Sequence, residues 1–480
     1  MLSKKLQFKS KKMPKFKSNI NDKIINSLKA ILGNQNVLTD YEDRYVYAYD
    51  ATAIGEDLYL PDIVVLPENK EQICEIARIA NENKIPIVTR AAGTNLVGGC
   101  IPLKGGIILH LSKMNKILNI DKDNLICTAQ PGVAVGQLQQ EVENVGLFYP
   151  PDPASLKVST IGGSIAQSSG GPRGFKYGTT KDYVLGLEIV LSDGTLLKTG
   201  GTTVKNVTGY NLTQLFVGSE GTLGIIVEAT LKLIPKPEEQ QVMLAYFESM
   251  NQAAETITNI ISAKITPATL DIMDKKTMET IENFHHTGLP TDMEAVLVIE
   301  TDGFKESVKI QTRQIIDICN KFGAKNIKVS QNQQEADELW FARRSAFGAV
   351  ARLRPNVLTE DAVVPRDKIP EFISKTREIF DKYNLTVCIM GHAGDGNIHP
   401  NVSLDLRNKE EAENFEKAAE ELFDAAIELG GSLSGEHGIG MLKSGFMKKA
   451  LDEASIKYMK EIKKLFDPKD ILNPGKIFHE

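Results

Sequence analysis

The ten residues 391–400, GHAGDGNIHP, contain two histidines and three glycines, a mixture that a packed core does not need. Apolar runs at 385–390 and 397–404 predict two strands, and Asp395-Gly396 between them is typical of a two-residue hairpin turn. That turn would place His392 directly opposite His399, with their Cβ atoms roughly 5 Å apart. Both imidazoles could then reach one metal ion. These residues alone leave open an ordinary turn flanked by two polar histidines.

A second short segment, SLSGEHGIG at 432–440, offers what such a site lacks. Glu436 could supply an oxygen ligand, and His437 could face the same site without binding the metal. The set His392, His399 and Glu436 would leave coordination positions open, as a catalytic metal site requires. Zn, Mn or Fe would suit these nitrogen and oxygen ligands. A purely structural glycine loop is the alternative.

Two adjacent arginines, Arg343 and Arg344, lie in a predicted helix at 340–354. Arginines on a helix usually form a solvated or salt-bridged face. Because the guanidinium group pairs well with carboxylates, they are also candidates for binding an acidic substrate.

Glycine-rich segments dominate the first half of the chain. A β-α-β pattern (63–66, 70–83, 87–89) leads into RAAGTNLVGG at 90–99, where successive N–H groups could form an anion nest for a pyrophosphate. Residues 150–178 carry six glycines and four prolines together with several apolar residues, which favours a ligand-wrapping loop over a linker. A further glycine-rich rim, 203–223, precedes a strand at 224–233. Neither a Rossmann nor a Walker motif occurs.

Composition indicates a soluble globular protein with more than one core. The chain has 480 residues, a net charge of -6 and 42% hydrophobic residues. Nucleic acid is therefore an unexpected partner, and no apolar run is long enough for a transmembrane segment. A cytoplasmic location follows, with peripheral attachment at the inner membrane face or organelle targeting left open by the lysine-rich N-terminus. Five scattered cysteines argue against disulfides and iron–sulfur clusters.

Changes in composition predict four regions. Residues 1–22 form a basic flexible tail, and 23–235 form a first domain with a helical lead-in. PKPEE at 235–239 marks the boundary to an α+β domain, 236–425, with ferredoxin-like alternation of strands and helices. Residues 426–480 form a C-terminal segment that carries His437.

Taken together, these motifs and ILNPGKIF at 471–478 resemble the FAD-linked D-2-hydroxyacid dehydrogenases of the vanillyl-alcohol oxidase superfamily. The family includes glycolate oxidase catalytic subunits, D-lactate dehydrogenases and D-2-hydroxyglutarate dehydrogenases. The resemblance covers about residues 25–480 and implies an α+β fold. A two-subdomain FAD-binding domain of the vanillyl-alcohol oxidase type would be joined to an α+β substrate (cap) domain with ferredoxin-like elements. The C-terminal segment, 426–480, would return to the FAD-binding domain.

The resemblance also implies a set of cofactor contacts. The FAD should be non-covalent, because Arg90, Ala91 and Ala92 offer no histidine for attachment. The pyrophosphate would lie on Ala92, Gly93, Thr94, Asn95 and Leu96, with Gly98 and Gly99 closing the turn. The isoalloxazine end would be held by Pro151, Asp152, Thr160, Gly162, Gly163, Gly170 and Gly178, and the adenine side by Glu220, Gly221 and Ile226.

In such a family member His392, His399 and Glu436 would bind a divalent metal, His437 would be the catalytic base, and Arg343 would contact the substrate carboxylate. The reaction would be oxidation of a small D-2-hydroxy acid to the 2-oxo acid, by metal-assisted proton abstraction and hydride transfer to flavin N5. Apolar Ala346 and Phe347 near Arg343, and the acidic pair Glu360 and Asp361, favour D-lactate or glycolate over a dicarboxylate.

Several alternatives remain open from the sequence. They are a larger substrate such as D-2-hydroxyglutarate, a different flavoenzyme of the superfamily, a zinc hydrolase and an FAD-binding electron-relay subunit of a larger complex. Reduced FAD would need an acceptor, which could be a quinone, a cytochrome, an electron-transferring flavoprotein, an iron–sulfur partner subunit or oxygen. A homodimer is also possible.

Overall fold

The computed structural model describes residues 19–54 and 58–478. The chain forms two compact units: Met1–Ser169, Thr179–Lys236 and Glu436–Glu480 make the first, and Gly170–Gly178 with Pro237–Gly435 make the second. The predicted basic tail lies almost entirely outside the described residues, and the first helix begins at Asp22.

The second unit differs in two ways from the domain predicted at 236–425. It extends to Gly435 and includes Gly170–Gly178, which the sequence had placed in the FAD-binding domain. The physical reason is a set of polar contacts. Lys176 donates to the side chain and the carbonyl oxygen of Asp302, and the Tyr177 hydroxyl donates to Asp302 Oδ2 at 2.7 Å.

In the described part of the first unit the strands form three sheets. Its strands are β1 (Val37–Leu38), β2 (Ile63–Val65), β3 (Ile87–Arg90), β4 (Ile107–His110), β5 (Ile117–Asp121), β6 (Ile126–Ala129), β7 (Leu147–Phe148), β8 (Val184–Val190), β9 (Leu196–Gly200), β10 (Ile225–Lys232) and β11 (Ile234–Pro235). One sheet has the order β1-β2-β4-β3 with parallel β2, β4 and β3, a second is antiparallel in the order β5-β6-β10-β8-β9, and β11 pairs with β7.

Helices of the first unit flank these sheets. The α-helices are Asp22–Leu32, Tyr41–Tyr45, Lys70–Asn83, Val135–Glu143, Ile161–Gln167, Leu212–Phe216, Met447–Ala450 and Glu453–Phe466, with 3-10 turns at Asn34–Asn36, Leu111–Lys113, Thr180–Tyr183 and Ser444–Phe446. The sequence of helix Lys70–Asn83 explains why the helix forms. Asn69 caps its first turn by accepting from the Gln72 N–H, and its buried stripe includes Ile73, Ile76 and Ala80.

Helix Ile161–Gln167 was not predicted, since residues 150–178 looked too rich in glycine for regular structure. The Thr160 hydroxyl accepts from the Gly163 N–H and caps the first turn, while Ser168 ends the helix in the left-handed conformation with φ 53°. Packing explains the glycine at 162. A Cβ there would lie 2.5 Å from Pro131 Cβ, so only glycine fits.

The C-terminal segment returns to the first sheet. Leu472 forms a parallel bridge with Ile87, and the Asn473 N–H donates to the Ile87 carbonyl at 2.8 Å. Ile471 and Leu472 are buried in the same apolar cluster as helix Lys70–Asn83. Burial and backbone pairing therefore anchor the end of the chain in the first unit.

The second unit is built on one antiparallel sheet in the order β15-β12-β14-β13-β18-β19-β16, with β17 pairing β19. Its strands are β12 (Glu239–Phe247), β13 (Thr269–Asp274), β14 (Ala295–Gly303), β15 (Asn326–Val329), β16 (Asn356–Thr359), β17 (Ala362–Val363), β18 (Thr386–His392) and β19 (Asn397–Leu404). Its α-helices are Gly174–Tyr177, Met250–Ser262, Lys275–Phe284, Lys305–Lys321, Gln333–Val350, Ile369–Lys382 and Lys409–Glu428, with a 3-10 turn at Arg366–Lys368.

The helix that carries Arg343 begins earlier and ends earlier than predicted. Asn332 caps it by accepting from the Glu335 N–H, and it ends at Val350. Its buried face, which includes Ala336, Trp340 and Ala346, packs into the core over β12, β13 and β14. Arg343 lies on that buried side, whereas its neighbour Arg344 is exposed.

Candidate active site

The hairpin at the centre of the site has a different register from the predicted one. His392 pairs with Asn397, and His399 pairs with Met390, so the turn comprises four residues, 393–396. The N–H groups of Asp395 and Gly396 both donate to the His392 carbonyl. The prediction that His392 lies directly opposite His399 is therefore wrong.

The two imidazoles nevertheless come together. His399 lies two positions along β19 from the partner of His392, and residues two apart on a strand share a face. Their ring centroids are 5.2 Å apart with the ring planes at 80°. The side chains of His392 and His399 are both about nine-tenths buried, with 7% and 8% exposure. A diagonal contact thus achieves what the predicted turn would have achieved by direct pairing.

Asp271 on β13 connects His392 to Arg343. It is the register partner of His392 and has no exposed surface. Its Oδ1 lies 2.8 Å from His392 Nδ1, and its Oδ2 accepts from Arg343 Nε at 2.8 Å. Burial raises the pKa of Asp271, but His392 and Arg343 outweigh burial and hold the pKa below its ordinary value. Asp271 is therefore an ionised acceptor for both groups.

A second buried carboxylate, Asp361, lies near the other histidine. Asp361 Oδ1 is 3.6 Å from His399 Nδ1, and Oδ2 accepts from the Ser434 hydroxyl at 2.6 Å and from the Gly435 N–H at 2.9 Å. Asp361 therefore fixes the backbone immediately before Glu436 and His437. The sequence had counted Asp361 only among groups that would disfavour a dicarboxylate.

Ala346 and Phe347, the apolar residues in the argument for a small substrate, differ in their exposure. Ala346 is fully buried in the core, and the Phe347 side chain is 43% exposed. Ala346 therefore packs against other core residues and offers no surface to a ligand.

Glu436 and His437 are the first residues of the segment that returns to the first unit. Within that unit the segment is held by Glu220, whose two carboxylate oxygens accept from the Ile439 and Gly440 N–H groups, each at 2.7 Å. Burial raises the pKa of Glu220 against the lowering effect of these amides. The predicted contact of Glu220 with adenine gave no hint of this structural role.

Residues 92–96 form the predicted pyrophosphate loop. Asp50 Oδ2 accepts from Asn95 Nδ2 at 2.9 Å, and Thr52 Oγ1 accepts from the Gly98 N–H at 2.7 Å. Asn95 Oδ1 in turn accepts from the Gly99 N–H at 2.7 Å. The backbone N–H groups of Gly98 and Gly99 therefore close the turn. Across 19–54 and 58–478, no group accepts from the N–H groups of residues 92–96.

The other predicted cofactor residues are distributed over both units. Gly170 and Gly178 bracket the piece that belongs to the second unit, and Gly178 ends helix Gly174–Tyr177 with φ 80°. The Pro151 carbonyl accepts from Gln139 Nε2 at 2.8 Å, and Asp152 is buried. Gly221 follows Glu220 with φ 70°, and Ile226 lies on β10 opposite Ile189.

Comparisons with known proteins give the family. Residues 61–200 match a model described as FAD binding domain, and residues 236–477 match one described as FAD linked oxidases, C-terminal domain. The chain belongs to the FAD-linked oxidases. It is 48% identical to the glycolate oxidase subunit GlcD of Bacillus subtilis (strain 168), over 93% of this chain and 95% of that one.

Two more relatives agree with this assignment. The chain is 35% identical to the glycolate oxidase subunit GlcD of Escherichia coli (strain K12), over 91% of this chain and 87% of that one. It is also 35% identical to a D-lactate dehydrogenase of Anaerostipes hadrus, over 88% and 90% respectively. The family resemblance drawn from the motifs is confirmed.

Solved structures agree on the fold alone. A p-cresol methylhydroxylase with substrate bound matches with a TM-score of 0.80 and 20% identity, covering 95% of this chain and 96% of that one. An alkyldihydroxyacetonephosphate synthase matches with a TM-score of 0.75 and 20% identity, covering 98% and 87%. The predicted α+β fold of the vanillyl-alcohol oxidase type is confirmed.

The first unit of this FAD-linked oxidase has polar groups suited to the cofactor. The Ser159 and Ser164 hydroxyls are buried and have no hydrogen-bond partner within the described ranges. Because an unpaired buried hydroxyl costs about 1–3 kcal/mol, such groups indicate a polar partner. Together with the free amides of residues 92–96, they fit an FAD molecule at this end of the unit. As for membranes, none of the helices in the described ranges is both long and apolar enough to cross a bilayer.

Sequence reasoning missed Asp271 altogether. The signal was present, since TLDIMD at 269–274 places two carboxylates in an otherwise apolar strand. A carboxylate on a buried strand must be paired, because burying an unpaired charge is very costly. That rule would have marked Asp271 as a partner for a nearby histidine or arginine.

Proposed function

We propose that this FAD-linked oxidase oxidises a small D-2-hydroxy acid, with D-lactate or glycolate favoured, to the corresponding 2-oxo acid. The observation that carries the proposal is the buried cluster of His392, His399 and Arg343 with Asp271. A cluster of this kind offers nitrogen ligands and a cation within one small volume, and a 2-hydroxy carboxylate needs both. The names of the relatives favour the same substrate class.

His392 and His399, together with Glu436, would hold a divalent ion such as Zn, Mn or Fe. The aspartate at His392 Nδ1 leaves Nε2 as the ligand atom, since a carboxylate accepts the Nδ1 proton. Glu436 follows Gly435, whose N–H is bonded to Asp361, so the backbone entering this ligand is fixed. Such an ion lowers the pKa of a bound hydroxyl.

Arg343 would bind the substrate carboxylate. Its Nε is committed to Asp271, and Nη1 lies 3.3 Å from Met390 Sδ. Among residues 19–54 and 58–478, no recorded hydrogen bond involves the other terminal nitrogen, which we propose donates to the substrate. Because the guanidinium group is buried, a charge-assisted hydrogen bond there is stronger than at the surface.

His437 would take the hydroxyl proton. Its position in the chain, next to Glu436 and between glycines, allows it to face the substrate without binding the ion. Bound FAD, held without a covalent link, would supply the acceptor for the C2 hydrogen and its electron pair at N5. The substrate would lose one proton and one hydride, which gives the 2-oxo acid and reduced flavin.

The electrons must then leave the flavin. We propose an acceptor outside this chain, either a quinone or a partner protein such as an electron-transferring flavoprotein or an iron–sulfur subunit. The support is that two relatives are named as subunits and that the five cysteines are scattered. A homodimer and a cytoplasmic location, with peripheral attachment to the inner membrane face, complete the proposal.

Anaerobic substrate screening tests the proposed activity. The purified yellow protein is mixed with D-lactate, L-lactate, glycolate or D-2-hydroxyglutarate, and flavin bleaching is followed. We expect D-lactate or glycolate to bleach the flavin and L-lactate to be much slower. No bleaching by any of them would contradict the proposal and favour an electron-relay subunit, whereas preference for D-2-hydroxyglutarate would correct only the substrate.

A further inference from the structure

Asp271 carries its charge on a buried strand of the second unit. It lies in β13, a strand whose six residues are all buried, and its side chain has no exposed surface. A carboxylate in such a place costs several kcal/mol unless it is paired. It has two charge-complementary partners, His392 and Arg343, and these come from two different elements, β18 and helix Gln333–Val350.

The two oxygens of Asp271 are divided between these partners. Oδ1 serves His392 Nδ1, and Oδ2 serves Arg343 Nε, each at 2.8 Å. Because an ionised carboxylate can only accept, His392 Nδ1 and Arg343 Nε both donate to Asp271. On the histidine this fixes the tautomer, with the proton on Nδ1 and the lone pair on Nε2. On the arginine it fixes the plane of the guanidinium group.

We propose that Asp271 is a positioning residue that prepares His392 as a metal ligand and Arg343 as a carboxylate receptor. The inference rests on the proposed function and goes beyond it by assigning both substrate-binding features to one carboxylate. Coupling through Asp271 means that the ion and the substrate carboxylate are held in a fixed relation, as bidentate binding of a 2-hydroxy acid requires.

Replacement by asparagine makes the claim testable, because it keeps the shape and removes one acceptor. The amide has one oxygen and one NH2 group, so it can accept a hydrogen bond from only one of the two partners. If the oxygen serves Arg343, the NH2 group faces His392 Nδ1 and forces the opposite tautomer, which occupies Nε2 with a proton. If the oxygen serves His392, the NH2 group opposes the Arg343 N–H and the guanidinium group must turn away.

The matched control is Asp274→Asn on the same strand. Asp274 is also buried, and it accepts from the Thr277 N–H at 2.8 Å and from Arg377 at 3.1 Å. It lies three positions along β13, and alternation places its side chain on the opposite face. A general loss of packing in β13 should therefore affect both variants, whereas loss of positioning should affect only D271N.

The experiment uses full-length, FAD-loaded protein and two readouts that need no turnover. Mn²⁺ affinity is measured by the electron paramagnetic resonance of free Mn²⁺. Binding of a carboxylate is measured as the dissociation constant of propionate, which lacks the 2-hydroxyl group, from the change that it causes in the absorbance spectrum of the bound flavin. We expect D271N to weaken at least one of them by about 10- to 100-fold, as is typical when a partner of a metal-bound histidine is removed.

Comparison of D271N with D274N distinguishes loss of positioning from general loss of packing. If D274N stays within about 3-fold of wild type while D271N shows the loss, the proposal holds. If folded D271N matches wild type in both readouts, or if D274N loses as much, it is overturned. Should D271N not fold, D271S takes its place with the same criteria. Failure of the wild type to bind Mn²⁺ or propionate would instead contradict the proposed function.

Discussion

The buried carboxylate Asp271 of the second unit holds side chains in place, whereas the buried carboxylate Glu220 of the first unit holds backbone. Asp271 contacts His392 and Arg343, both of which have a proposed chemical role. Glu220 has two equally short hydrogen bonds, but both go to backbone amides of residues 439 and 440. The same buried functional group therefore orients side chains at Asp271 and fixes the path of the chain at Glu220.

Under the proposed function the two units meet different ligands, which accounts for the difference. A dinucleotide is held largely through its phosphates, and backbone N–H groups in a glycine-rich loop do that without side-chain specificity. A small hydroxy acid offers few atoms, so each must meet a charged or ligating side chain in a set geometry. Glycines suit the first task, and braced charged residues suit the second.

The largest effect should come from His437. We expect His437→Gln to slow anaerobic flavin reduction by D-lactate about 10²- to 10⁴-fold, the range for loss of a general base, with FAD still bound. Stopped-flow absorbance measures it. His286→Gln is the control, since the His286 side chain is 94% exposed. Reduction at the wild-type rate in H437Q would exclude His437 as the base.

Arg343 and Arg344 offer a comparison between neighbours. Arg343→Met removes the cation that is proposed to bind the substrate carboxylate, so we expect a much higher KM. It also leaves the buried Asp271 without its arginine partner, so we expect a loss of about 3–5 kcal/mol in the free energy of unfolding. Arg344 lies over the Trp340 ring at 5.2 Å, and Arg344→Met should cost about 1 kcal/mol or less. Kinetics and denaturant unfolding test both, and equal effects of the two variants would contradict the assignment.

A smaller effect than that of Arg343→Met is expected at Glu220. Glu220→Gln leaves one of the Ile439 and Gly440 N–H groups without its acceptor, which should cost about 1–3 kcal/mol in stability. Glu238→Gln, at an exposed position, is the control. If E220Q is as stable as wild type in denaturant unfolding, Glu220 does not anchor the returning segment.

The sequence allowed the candidate site residues to be singled out, but not the carboxylates that contact them. His392, His399 and Arg343 stand in conspicuous patterns, and strands at 63–65 and 397–404 follow from apolar runs. The hairpin register was predicted incorrectly because the turn has four residues, whereas the Asp395-Gly396 pair is typical of a two-residue turn. Asp271 and Glu220 have partners 121 and about 220 residues away in the chain, and no local pattern reports such contacts.

Helix Ile161–Gln167 illustrates another limit. Glycines at 162 and 163 lower helix propensity, yet the Thr160 cap and the contact of Gly162 with Pro131 make the helix possible. Here tertiary packing outweighs propensity. Similarly, the attachment of Gly170–Gly178 to the second unit depends on Asp302, which lies far along the chain.

The most direct test of the account is flavin reduction with and without metal. FAD-loaded protein is stripped with a chelator, divided, and re-supplied with Zn²⁺, Mn²⁺ or Fe²⁺ or left bare, and anaerobic reduction by D-lactate and by glycolate is followed. We predict that the stripped protein keeps its yellow flavin but loses reduction with either substrate, and that at least one ion restores it. Fully active stripped protein would contradict the account.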